Sequence, residues 1–187
     1  MVVALCGVPG VGKSHLAAAL AEAKGWTVLD RDAVRDAVFP ARFLDYSHAQ
    51  NNLASELSYQ VCAYILRKHP EEVLILDGRP FSLFAQREQI RRLARELGVP
   101  AAFIHCVASE SVVLDRLARV NSDPSNDPRA DRTEQKLRAV KQQFEPFREE
   151  AVIEISTEIP VSQQVETVSA YLMGLRAQGS ANKAPLA

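Results

Sequence analysis

An α/β fold built on a mainly parallel sheet is what this chain predicts, and two patterns carry the prediction. Short β-branched runs bounded by turn residues alternate with longer stretches whose apolar residues recur at helical spacing. The short runs are continuously apolar rather than alternating, as in strands covered by helices on both faces. The 187 residues leave room for one domain. With 47% hydrophobic and 24% charged residues the chain can bury a core, which excludes a disordered, collagenous or coiled-coil protein.

The elements follow in order. Val2–Cys6 is predicted as the first strand and runs straight into Gly7. Leu16, Ala19, Leu20 and Ala23 lie at i, i+3, i+4 and i+7, with Gly25 as the C-terminal stop of that helix. Trp26–Leu29 is the second strand. Leu53, Leu57, Val61 and Ile65 make a second helical stripe, closed by Pro70 and expected to pack in the core. Glu72–Asp77 and Ala101–Val107 are the third and fourth strands. The polar, turn-rich segment Val120–Ala130 is predicted as a loop, long enough to be functional. Leu137, Val140, Phe144 and Phe147 form a third stripe, opened by Asp131 with Glu134 at capping-box spacing. Ala151–Ile155 is the fifth strand. Pro160 precedes a last helix carrying Val161, Val165, Val168, Leu172 and Leu175. Periodicity then stops, so residues 1–176 are expected to form the domain and 177–187 a disordered tail.

Lys and Arg number 22 against 23 Asp and Glu, a net charge of −1, so bulk electrostatics give no pull toward nucleic acid or an anionic membrane. Any affinity for phosphate must be local. Cys6, Cys62 and Cys106 are odd in number and set in apolar runs, which suits buried, reduced thiols in a cytoplasmic protein. No basic region precedes the first apolar run, and none approaches the roughly 18–20 residues that span a bilayer, so neither targeting nor membrane insertion is expected. The four histidines show no metal-ligand spacing, and His105 is expected to pack within its strand.

The local phosphate signal is specific. Gly7-Val8-Pro9-Gly10-Val11-Gly12-Lys13-Ser14 reads G-x-x-x-x-G-K-S, directly after a strand and directly before a helix whose first turn adds His15. The glycines let consecutive backbone N–H groups turn inward on phosphate oxygens, and the helix N-terminus adds its partial positive charge. Lys13 is expected to reach the β- and γ-phosphates of ATP, and the Ser14 hydroxyl to ligate Mg²⁺. Asp77 closes an apolar strand in the manner of a Walker B acid, a second candidate metal ligand.

With these motifs, and with Asp30-Arg31-Asp32-Ala33-Val34-Arg35 after the second strand and Arg116-Leu117-Ala118-Arg119 before the polar loop, residues 1 to about 176 resemble small P-loop kinases related to the nucleoside monophosphate kinases. Shikimate, gluconate, adenylylsulfate and polynucleotide 5′-hydroxyl kinases belong to that group. Asp77-Gly78-Arg79-Pro80-Phe81, the lid pattern Asp-Pro-x-Ala-x-Arg and Phe144-Glu145-Pro146 look like AAA-type kinases without a named substrate. The resemblance implies a three-layer P-loop NTPase sandwich with strand order 2-3-1-4-5 and an arginine-bearing lid over about 120–131. It implies that Asp32 orients and deprotonates an acceptor hydroxyl, that Asp30 supports the metal or the phosphate loop, and that Arg35 holds an anion on the acceptor. Arg116 would lie along the nucleotide, Arg119 would reach the transferring phosphoryl group, and Arg129 and Arg132 would end the lid. Arg79 would contact an acceptor anion, although the named families carry other residue types there. A monomer or weak dimer is the family default.

The expected activity is therefore ATP- and Mg²⁺-dependent phosphorylation of a hydroxyl on a small molecule. A polynucleotide 5′-hydroxyl kinase is the alternative, less favoured by the net charge. A non-catalytic ATP-binding regulator is another, weakened because the D-x-x-G and N-K-x-D elements of nucleotide switches are missing after Asp77 and at Asn121–Pro124.

Overall fold

The continuous apolar runs become a sheet with helices on both faces. The structure is a computed structural model describing residues 1–122, 133–148 and 150–181. Among these, strands β1 (Val2–Cys6), β2 (Thr27–Asp30), β3 (Leu74–Asp77), β4 (Ala101–Val107) and β5 (Val152–Ser156) pair in parallel in the order β2-β3-β1-β4-β5. The helices are α1 (Lys13–Lys24), α2 (Arg31–Val38), α3 (His48–Lys68), α4 (Phe84–Leu97), α5 (Glu110–Ser122), α6 (Glu134–Gln142) and α7 (Val161–Ala181).

Successive strand residues point to opposite faces, so β1 feeds two cores at once. Val3 and Leu5 pack with Leu16 and Leu20 of α1 and Val168 and Leu172 of α7. Val2, Ala4 and Cys6 pack on the other face with Cys62 and Leu66 of α3 and Ile90 of α4. Each fully buried aliphatic side chain there is worth roughly 1.5–3 kcal/mol. All three cysteines are free and buried.

Several expected boundaries move, each for a tertiary reason. The second strand starts at Thr27 rather than Trp26 and runs on to Asp30, which pairs in register with Asp77. The third starts at Leu74 rather than Glu72, and the fifth covers Val152–Ser156 rather than Ala151–Ile155. The stripe Leu53, Leu57, Val61, Ile65 is not the buried face of α3: Leu53 is 48% and Val61 44% exposed, while Ala54, Ser58, Cys62 and Leu66 are buried, the last two in the core beside the strands. Spacing alone cannot tell which of two stripes is covered. The expected third helix ends at Gln142, its N-cap is Thr133 rather than Asp131, and Phe144 and Phe147 pack from the segment beyond it. The polar loop begins later than expected, because Val120–Ser122 are the last turn of α5. The last helix continues to Ala181, past the point where periodicity stops. The rest of the expected lid, with Arg129, Arg132 and Asp131, and the tail beyond residue 181 lie outside the described residues. No helix among the described residues is long and apolar enough to cross a membrane.

Candidate active site

A cavity of about 650 Å³ opens at the C-terminal edge of the sheet, above β1 and β3. Its nucleotide end is built from backbone. Leaving β1, Gly7 takes φ 136°, and a Cβ there would come within 2.6 Å of the Cys106 carbonyl oxygen, so the loop closes only with glycine. Gly12, at φ 107°, precedes α1, whose N-terminus has no side-chain cap and no acidic residue in its first turn. Its N–H groups are thus left to an external anion. Lys13 Nζ donates to the Gly7 and Val8 carbonyls, 2.9 Å each, and Ser14 and His15 stand exposed on the first turn. Gly10 and Pro9 complete the loop wall, while Val11 is buried beneath it.

Arg116 of α5 binds the underside of this loop. Its Nη1 donates to the Val11 carbonyl and to Thr157 Oγ1, both at 2.9 Å, and its Nη2 to the Thr157 carbonyl at 2.9 Å. Thr157 Oγ1 also donates to the Val11 carbonyl. Arg116 therefore lines the cavity while clamping the loop to the end of β5. Arg119 is exposed and does not line the cavity.

At the other end of the cavity Asp30 and Asp32 take different places. Asp30 is the N-cap of α2, its Oδ1 accepting from the Asp32 N–H at 2.8 Å. Asp32, 6% exposed, lines the cavity, and its Oδ1 accepts from Arg31 Nη2 at 2.6 Å and Arg35 Nη1 at 3.1 Å. Arg35 is buried and does not line the cavity. It also donates to Asn51 Oδ1 at 2.9 Å and to Asp36 Oδ1 at 3.0 Å, with the Tyr46 ring 4.5 Å away. Its place is behind Asp32, positioning it, rather than on the acceptor. Asp77 ends β3 in the cavity wall, and its buried Oδ1 has no hydrogen-bond partner among the described residues.

Arg79 lies on the loop after β3, with Nη1 3.2 Å from the Tyr59 hydroxyl and Nη2 3.4 Å from Asn52 Oδ1. Arg87, fully buried on α4, fixes that loop: its Nη1 donates to the Phe81 and Ser82 carbonyls, and its Nε reaches Glu150 Oε1 at 2.8 Å. The Pro80 carbonyl accepts from Gly7 N–H at 3.0 Å, joining it to the phosphate loop.

Arg31, Arg87 and Thr157 are not singled out by the sequence, whereas Asn52 ends the segment Phe39–Asn52 to which, with the surroundings of Arg79, the sequence reading assigns acceptor specificity. Thr157 had a signal, a polar pair Ser156-Thr157 at a strand's C-terminal end, where α/β folds bind ligands. Arg31 had none. His105 is half-buried against Phe144 and Phe147, with Glu154 Oε2 3.1 Å away. Burial lowers its pKa, against the pull of Glu154. Burial also pushes the Cys106 and Cys62 thiols up to about 12, so neither is a nucleophile at neutral pH.

Comparison with known proteins places this geometry. A family model described as an AAA domain matches residues 2–147. Among solved structures, a chain from Chloroflexus aurantiacus J-10-fl, whose kinase assignment is provisional, is 22% identical with a TM-score of 0.74 over 91% of this chain and 97% of that one. A gluconokinase from Sinorhizobium meliloti 1021 is 18% identical, TM-score 0.67, covering 97% of each chain. The APS kinase of Mycobacterium tuberculosis, solved with AMPPNP and APS, is 18% identical, TM-score 0.65, over 92% and 96%. At these identities they show a common fold. No curated protein matches the sequence.

Proposed function

The chain belongs to the AAA domain family, with the fold of small P-loop kinases, and we propose that it transfers the γ-phosphoryl group of ATP to a hydroxyl of a small molecule. One observation carries the reading: an uncapped helix N-terminus behind a glycine loop and a buried carboxylate, Asp32, open onto one cavity large enough for two substrates. A binding module needs the first feature. Only a transferase needs the second facing it.

Ser14 and Asp77 fit a Mg²⁺ ion: one is an exposed hydroxyl on the first turn of α1, the other a buried carboxylate oxygen without a hydrogen bond among the described residues. When bound, the ion supplies charge neutralisation on the β- and γ-phosphates. The protein's own groups do the rest. Lys13 and the loop N–H groups hold the phosphates in line. Asp32, oriented by Arg31 and Arg35, accepts the hydroxyl proton as the bond from acceptor oxygen to phosphorus forms and the bond from phosphorus to the bridging oxygen breaks. Arg116 keeps the loop in register with β5. The domain, residues 1–176 continued by α7 to Ala181, acts in this reading as a monomer or weak dimer in the cytoplasm.

The test is ADP release by the purified protein with Mg²⁺ and ATP, screened against fractionated metabolite pools and 5′-hydroxyl oligonucleotides. Acceptor-dependent release with a metabolite fraction is expected. Release only with oligonucleotides would move the substrate to nucleic acid, and ATP binding without any acceptor-dependent release would reduce the protein to a nucleotide-binding module.

A further inference from the structure

Charge bookkeeping within the cavity points to what the acceptor must carry. Asp32 is paired with Arg31 and Arg35, and Arg35 also with Asp36, so two carboxylates meet two guanidiniums and that cluster offers a substrate little uncompensated charge. Arg116 spends three short bonds on the phosphate loop and Thr157. Arg79 differs. Its partners are a phenol and an amide oxygen, both neutral, at 3.2 and 3.4 Å, and no carboxylate lies within ion-pair reach of it among the described residues. Burial raises the pKa of Tyr59 against the opposing pull of Arg79, so the phenol stays protonated and cannot neutralise it. A guanidinium has five N–H donors in a planar fork, and two long bonds leave most of them to the cavity.

The mounting is rigid. Phe81 is 1% exposed and held at φ 47°, Arg87 ties down the Phe81 and Ser82 carbonyls, and Gly7 ties down Pro80. From the other side, Asn52 and Tyr59 lie seven residues apart on one face of α3, two turns that together orient the fork. A half-buried cation held by two neutral oxygens of α3, and lining the same cavity as Asp32, is built to receive an oxyanion.

We propose that Arg79, set by Tyr59 and Asn52, is the specificity-determining residue of the acceptor site, and that the acceptor is a hydroxyl compound bearing a carboxylate or phosphate group that Arg79 grips while its hydroxyl meets Asp32. The inference rests on the kinase reading, which supplies the nucleotide end of the cavity. Neutral polyols, sugars and nucleosides would then be poor acceptors.

The test loads the protein with ADP and Mg²⁺, which fills the phosphate loop, and titrates sodium sulfate and sodium acetate by calorimetry against sodium chloride at matched ionic strength. Saturable binding of sulfate or of acetate is expected, sulfate pointing to a phosphate-bearing acceptor and acetate to a carboxylate. Arg79→Gln should weaken it roughly tenfold or more, with Arg79→Lys intermediate because the charge survives without the fork. ADP affinity and the melting temperature should stay at wild-type values in both variants. Saturable binding of neither anion by the loaded wild type, or equal binding by wild type and Arg79→Gln, overturns the proposal and leaves the nucleotide reading standing. Failure of ADP to bind at all overturns the kinase reading and this inference with it.

Discussion

The two ends of one cavity are built in different ways. The nucleotide end is local: eight consecutive residues, Gly7 to Ser14, fold into a loop of inward-facing N–H groups, and only Lys13 and Ser14 need functional side chains. The end we assign to the acceptor is assembled from afar. Asp32 on α2 depends on Asn51 of α3 through Arg35, and Arg79 after β3 depends on Asn52 and Tyr59 of α3 and on Arg87 of α4. Backbone geometry written in glycines tolerates little variation, so the first end is stereotyped. Side chains from three helices can be exchanged one by one, so the second end is where specificity can change without loss of the fold.

If that contrast holds, the largest effect belongs to Lys13. Lys13→Ala should lower transfer by about 10³-fold or more, because a cation at the transferring group is lost. The fold should survive, since Lys13 faces the loop and not the core, and circular dichroism beside an ADP-release assay checks both. Unchanged turnover in a folded variant would break the nucleotide side of the comparison outright.

Asp32→Asn comes next, with a fall of roughly 10²–10⁴-fold in acceptor-dependent turnover and little change in the ATP-binding isotherm. The buried Arg35 would lose one carboxylate partner and keep Asn51 and Asp36, so a lowered melting temperature is expected as well. Since Asp30 and not Asp32 caps α2, a loss of activity in this variant could not be put down to a lost cap. Turnover within a few-fold of wild type would pass the role to Asp77.

Arg116→Ala sharpens the comparison rather than breaking it. Removing three bonds between the loop, Thr157 and α5 should raise the KM for ATP about tenfold and leave the acceptor KM near wild type, as expected when ground-state positioning is lost. Steady-state kinetics with each substrate varied in turn would show it. Equal changes in both KM values would mean that the two ends are not separable.

The smallest effect lies away from the cavity mouth, at His105. Its folded-state pKa is lowered by burial, so on acidification the unfolded chain takes up the proton first. The stability associated with neutral His105 is present above its unfolded pKa of about 6.5 and is lost as pH falls toward the lower folded value. Thermal melts between pH 8 and 5 should show a decline of a few degrees, and His105→Phe, matched to Phe144 and Phe147, should flatten the part due to this residue.

Much of the fold was legible because hydrophobic runs and glycine-lysine spacing are local signals. β1 and β4 matched residue for residue, and the order of five parallel strands is the one the P-loop resemblance implied. The phosphate loop was legible for the same reason: its chemistry is carried by the chain's own consecutive backbone. The face of α3 was not, since Leu53 and Val61 satisfy the helical period as well as Ala54 and Cys62, and only the sheet decides which row it covers. Nor was the end of α6, where Phe144 and Phe147 keep apolar spacing but pack from beyond the helix.

By itself, then, the sequence determined the strand and helix alternation, the phosphate loop and the acids placed at the ends of β2 and β3, all properties of short stretches whose φ/ψ and periodicity are set locally. The tertiary structure alone decided that Asp32 faces the cavity while Asp30 caps a helix, that Arg35 stands behind it, that Arg116 clamps the loop to Thr157, and that Arg79 meets neutral partners. These depend on burial and on which charges meet, and partners such as Arg116 and Val11, 105 residues apart, become neighbours only when the sheet closes.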